Sequence, residues 1–109
     1  MEQKPEPFTV QVDVDEADVT VNVHGDLDLS SAHHLLDRAT SFVDAATPGT
    51  MTVNLSGVGF CDSAGISVLV LLRQRCEESG WRFQVVGTQD RVRRMLVDFT
   101  GLGEYLNVA

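Results

Sequence analysis

Lysine is almost missing from this chain: the only one is Lys4. A phosphate-cradling G-x-x-x-x-G-K-[ST] loop therefore cannot be built, and no G-x-G-x-x-G is present either. Basic residues are scarce in general, with 8 against 16 acidic ones and a formal charge of −8. A general nucleic-acid binder needs a basic face, so that class is disfavoured. Docking on an anionic membrane surface is disfavoured for the same reason. Long apolar runs are absent too: the longest, Val68–Leu72, is far too short to span a bilayer. The start of the chain is polar, carries Glu2 and Glu6 and has no apolar core, unlike a signal peptide. A cytoplasmic protein is the expectation.

The 2 cysteines, Cys61 and Cys76, provide no disulfide framework. If Cys76 lies on a helix that starts after Ser63, helical rise separates the pair by about 18 Å. A disulfide tolerates only about 7 Å between Cα atoms. Free thiols in a reducing compartment are expected. No Cys/His spacing suits a structural zinc ion, and no cofactor is expected.

What remains is ordinary for one folded domain: 109 residues, 43% hydrophobic and 22% charged, which excludes wholesale disorder. The charge is unevenly spread. Residues 1–50 hold ten acids and two bases, net −8, whereas residues 51–109 hold six of each, net zero. The first half is the expected negative face, either a solubility device or a means of steering a basic partner.

Residues 1–7 read as a flexible leader and residues 8–109 as a single domain. Phe8, Val10, Val12 and Val14 alternate with polar residues, and so do Val19, Val21 and Val23. Joined by a short acidic turn, they predict an antiparallel hairpin. Gly25 to Ser30 is a polar loop whose Ser30 or Ser31 can cap a helix. Ala32, Leu35, Leu36, Ala39, Val43 and Ala46 give that helix an apolar face, and Pro48-Gly49 stops it. Met51, Val53 and Leu55 form a third strand. Ala64 to Ser79 is helical, with Ile66, Leu69, Val70 and Cys76 on one face, widened by Val68, Leu71 and Leu72. Gly80 ends it. Arg82 to Val86 is a fourth strand. Thr88 can cap a third helix whose apolar residues are Val92, Met95, Leu96 and Phe99, ended by Gly101. Tyr105, Leu106 and Val108 suggest a tail that packs back, as a short edge strand. Phe60 and Trp81 are expected as core or boundary aromatics.

The order predicts an α/β fold: a mixed, mostly parallel sheet of four to five strands with an N-terminal hairpin and three or more helices. The loops Gly25–Ser30 and Gly57–Ser63 both leave the carboxyl ends of parallel strands, where open α/β sheets build their sites. Asp26, Asp28, Asp62 and Ser63 are expected to gather there.

Ser63 is the most informative of these. It sits at the start of a buried helix, so its hydroxyl is either the N-cap or in the first turn. A phosphate on it would face unpaired N–H groups and the positive end of the helix dipole, but also Asp62. Enzymatic readings are weak. The G-x-S-x-G elbow of a hydrolase is broken by Cys61 in place of the first glycine. His33 and His34 point about 100° apart on a helix and cannot serve one site. His33 with Asp37 makes at best a weak chelate. Loop carboxylates such as Asp26, Asp28 and Asp62 are usually solvated rather than metal-bound, and no metal site is expected.

The stretch Val53-Asn54-Leu55-Ser56-Gly57-Val58-Gly59-Phe60-Cys61-Asp62-Ser63-Ala64-Gly65-Ile66 resembles the STAS-domain anti-sigma factor antagonists of bacteria. Val23-His24-Gly25-Asp26-Leu27-Asp28, and Val86-Gly87 with the Val92/Leu96/Phe99 helix and Gly101-Leu102, fit the same family. Asn54 stands where many relatives have Asp, Asp26 where Glu is frequent, and Cys61 where an aliphatic residue is usual. The resemblance implies a non-enzymatic STAS-like domain. It would bind an anti-sigma factor, usually a serine kinase, and so release a sigma factor. The kinase would phosphorylate Ser63 and a phosphatase would reverse it, only the unphosphorylated form binding well. Asp26, Asp28, Asp62, Ser63, Ala64 and Gly65 would form the partner-binding edge. The rival reading is a STAS interaction subunit of a transporter or sensory complex, in which the serine is merely structural.

Overall fold

The computed structural model describes residues 7–109. Of the expected leader, only Pro7 falls among the described residues. Strands β1 (Thr9–Asp15) and β2 (Asp18–His24) form the expected hairpin, paired in register from Thr9↔His24 to Asp15↔Asp18. Helix α1 (Ala32–Ala45) leads to β3 (Thr50–Gly57), α2 (Ser63–Glu78) and β4 (Arg82–Val86). Helix α3 (Asp90–Arg93) runs straight on into a π-helical stretch, Arg94–Phe99. The sheet order is β1-β2-β3-β4, with β2–β3 and β3–β4 parallel.

Both crossovers step to the next strand in the same direction. With right-handed connections this puts α1 and α2 on one face of the sheet. Burial follows the period of two. Val19, Val21, Val23, Met51, Val53, Leu55 and Val85 are buried beneath the helices. The alternate residues bond to one another across the other face. Asn22 Nδ2 donates to Asp13 Oδ2 at 2.9 Å, Asn54 Nδ2 to Asn22 Oδ1 at 2.9 Å, and Gln84 Nε2 to Thr52 Oγ1 at 2.8 Å. Helix α1 buries Ala32, Leu35, Ala39 and Val43, and α2 buries Gly65, Val68, Leu69, Leu72 and Cys76. Trp81 is buried as well, its indole N–H satisfied by the Val43 carbonyl at 3.2 Å.

Several expectations need correction. Leu71 does not widen the buried face of α2. It is exposed, in an outer groove between α1 and α2 shared with Leu36 and Thr40. Phe99 is 79% exposed rather than part of the third helix's apolar stripe. The cause is the change to π-helical pitch, in which Thr100 N–H bonds the Met95 carbonyl five residues back. The wider turn rotates Phe99 away from the line of Val92 and Leu96, which stay buried. Thr88 is not the cap of α3. Gln89 holds that position, and its side-chain amide donates to the Ser56 carbonyl at 2.9 Å, tying α3 to the end of β3. Phe60 is neither core nor boundary, being 41% exposed.

Gly80 and Gly101 end their helices with φ of +81° and +69°. The tail packs back as expected. Leu106 is buried, Val85 N–H bonds the Asn107 carbonyl at 3.1 Å, and Ala109 N–H bonds the Val85 carbonyl at 2.9 Å. This is a single bridge, Val85↔Val108, and no fifth strand forms among the described residues.

Candidate functional site

The two loops at the carboxyl edge are joined by main-chain hydrogen bonds. Leu27 N–H donates to the Phe60 carbonyl at 2.9 Å, and Asp62 N–H donates to the Leu27 carbonyl at 3.2 Å. Leu27 and Cys61 thereby make an isolated parallel bridge beyond the ends of β2 and β3. Both side chains point into the core, at 0% and 3% exposure. The bridge brings Asp26, Asp28, Asp62 and Ser63 to one edge, as expected from the topology.

Asp62 is the N-cap of α2. Its Oδ1 accepts the N–H groups of Ala64 at 2.9 Å and Gly65 at 3.2 Å. Ser63 is thus the first residue inside the helix rather than its cap. Its side chain is exposed, and its hydroxyl makes no hydrogen bond among the described residues. Its carbonyl accepts the Ser67 hydroxyl at 2.9 Å. A phosphate on Ser63 would not find a ready row of unpaired N–H groups, contrary to the sequence expectation. Those of Ala64 and Gly65 are already held by a carboxylate one residue away.

The other loop is organised around Asp28 and Ser31. Asp28 Oδ1 accepts the Ser30 N–H at 3.0 Å and the Ser30 hydroxyl at 2.7 Å. The Ser30 hydroxyl, helped by the backbone of Ser30 and by Ser31, holds the Asp28 carboxyl below the usual carboxylate range. Ser31 is the N-cap of α1 by position, but its side chain makes no cap bond. It is buried instead, donating to the Asp26 carbonyl at 2.7 Å and accepting Asp28 N–H at 3.0 Å.

The six residues expected at the partner-binding edge divide accordingly. Asp26 and Ser63 are exposed, and Asp28, Asp62 and Ala64 are half-buried. Gly65 is buried and cannot itself be touched; it sets the depth at which α2 meets Leu27. Sequence reasoning passed over Leu29, which stands 74% exposed at the tip of the Asp28 turn. The signal was available: it is a large apolar residue in a loop read as polar, directly before the cap candidate Ser30.

No group of three or more His, Cys, Asp or Glu among the described residues is placed to hold a metal ion. His34 packs edge-on against Phe8, with ring centroids 5.8 Å apart. Burial, aided by the Asp62 charge, pushes the Cys61 thiol up to about 12. Both cysteines are free and buried. No helix among the described residues is long and apolar enough to cross a membrane.

A family model described as "Mlab, STAS domain" matches residues 10–106. The chain belongs to the STAS domain family. The curated anti-sigma-B factor antagonist of Bacillus subtilis (strain 168) is 26% identical to this STAS domain over 102 residues, covering 94% of this chain and 91% of that protein. The crystal structure of an anti-sigma factor antagonist from Mycobacterium paratuberculosis superposes with a TM-score of 0.84 at 24% identity, covering 98% of this chain and 89% of that one. The anti-sigma factor antagonist SpoIIAA in its unphosphorylated form gives 0.77 at 20% identity, covering 94% and 88%. These two structures establish that the fold is shared.

Proposed function

We propose that this STAS domain is an anti-sigma factor antagonist, a non-enzymatic protein that binds an anti-sigma factor and so frees a sigma factor. The anti-sigma factor is a serine kinase that phosphorylates Ser63 and thereby ends the complex; a phosphatase restores it. The carrying observation is the exposed Ser63 hydroxyl, in the first turn of α2 and without a hydrogen-bond partner among the described residues. A structural serine would use its hydroxyl, as Ser31 does. The curated antagonist relative supports the same reading.

The switch has a physical basis in the cap. Phosphorylation adds about −1.5 to −2 charges. They would arrive beside Asp62, whose carboxylate already holds the nearest N–H groups. Docking would bury this repulsion, and a penalty of about 1–3 kcal/mol weakens binding roughly 5–150-fold. Asp26 is the exposed carboxylate that reaches the partner or its nucleotide-bound cation, while Asp28 shapes the loop beside it.

The test incubates purified protein with each serine-kinase anti-sigma factor of the source organism and ATP. One phosphate should appear, on Ser63, and Ser63→Ala should gain none. Phosphate at another residue would overturn the site. Ser63→Asp should weaken binding while thermal stability stays nearly unchanged; unaltered affinity would count against the switch. Co-purification with membrane components, with Ser63 unmodified, would favour the transporter-subunit reading.

A further inference from the structure

We propose that Leu29, seconded by Phe60, is an apolar anchor beside Ser63 that seats in a recess of the anti-sigma factor rimmed by Arg and Lys. This rests on the antagonist reading and names the chemistry of its partner's surface.

Leu29 is 74% and Phe60 41% exposed. Cys61, next to Phe60, and Leu27, two residues before Leu29, bridge the two loops, so both exposed side chains lie on the edge that carries Ser63. Among the described residues, Leu29 belongs neither to the core nor to the side chains packed against it. Exposed large apolar side chains grouped at one edge and rimmed by polar groups mark an interaction surface.

The turn that presents Leu29 is held on both sides. Asp28 binds the Ser30 N–H and hydroxyl, and Ser31 binds Asp26 and Asp28. The ordering cost that a flexible loop would meet on binding is therefore largely met in the free protein. Asp26 and Asp62 flank the anchor, on a chain of net charge −8, so the complementary rim is basic. A second copy of this chain would set Asp26 and Asp62 against their own kind, which disfavours self-association here.

The experiment is calorimetric titration of each purified serine-kinase anti-sigma factor of the source organism with wild type, Leu29→Ala, Phe99→Ala and Asp26→Asn. Phe99 is the control, as exposed as Leu29 but on the π-helical stretch. Losing a buried leucine side chain should weaken binding about tenfold or more in Leu29→Ala, with an unchanged melting temperature. Phe99→Ala should match wild type. The Leu29→Ala loss should persist at high salt, whereas the Asp26→Asn loss should fade. Wild-type affinity in Leu29→Ala overturns the anchor and leaves the antagonist reading standing. Equal losses in Leu29→Ala and Phe99→Ala overturn it too. If no kinase binds the wild type, the antagonist reading fails and the anchor with it. Concentration-dependent dimerisation abolished by Leu29→Ala would assign the patch to a second copy and overturn the proposal.

Discussion

Gly65 and Leu27 meet where there is no room for a side chain: a Cβ on Gly65 would stand 2.6 Å from the Leu27 carbonyl oxygen. The Cys61 sulfur would lie 2.8 Å away. Helix α2 can approach the joined loops only because this residue is glycine, and Ser63 rides on that approach. Because one obstacle is backbone, the strain of Gly65→Ala cannot be relieved by a side-chain rotation. The expected cost is roughly 1–3 kcal/mol, or several degrees of melting temperature for a domain of this size. Thermal unfolding followed by circular dichroism checks it; a melting temperature equal to wild type would contradict the close approach.

Asp62 carries two roles that mutation can separate. As N-cap it holds two N–H groups, and under the proposed switch its carboxylate would repel a phosphate on Ser63. Asp62→Ala should lower stability by about 1 kcal/mol in urea unfolding. Asp62→Asn keeps a capping oxygen and should lose much less. In a Ser63-phosphorylated sample, Asp62→Asn should narrow the affinity gap between modified and unmodified protein, because the neighbouring charge is gone. An unchanged gap would mean that Asp62 takes no part in the repulsion.

The lowered Asp28 carboxyl sets a pH dependence. The unfolded chain protonates this group more readily than the folded one does. Its bonds with Ser30 therefore stabilise the fold above the ordinary carboxylate range, and that stability is lost as pH falls through the lowered folded value. Wild type should be more stable than Ser30→Ala at neutral pH, and the difference should shrink below about pH 4. Urea midpoints measured from pH 7 to pH 3 report this; a difference that grows on acidification would reverse the assignment.

The two thiols should be inert in the folded protein. Burial raises Cys61 to about 12 and Cys76 to about 11, the latter against a lowering by Arg73. At pH 8 no more than about one in a thousand of either is thiolate, the reactive form. Labelling with an aromatic disulfide reagent should be at least about a hundredfold slower in buffer than in denaturing urea. Rapid labelling of native protein at one site would show that the wall around that cysteine opens.

Much of this was legible in the residues. The alternation of Val10 and Val12, of Val19, Val21 and Val23, and of Met51, Val53 and Leu55 fixed the strands, because a half-covered sheet sorts side chains with a period of two. The gathering of Asp26, Asp28, Asp62 and Ser63 followed from topology alone. The capping residue of α2 did not follow. Asp62 and Ser63 are both good caps, and a one-residue difference depends on backbone angles that spacing does not encode. Phe99 was misplaced because α-helical spacing was carried into a π-helical stretch. The bridge between Leu27 and Cys61 was hidden for another reason: it exists through a close tertiary approach at Gly65, which no local pattern announces.

The tail bridge to Val85 leaves β1 as the uncovered margin of the sheet among the described residues. That margin bears Asp13 and Asp15, with Glu16 and Asp18 at its turn. Two molecules laid margin to margin would press carboxylates together. Fibril growth by strand addition is thus opposed at its first step.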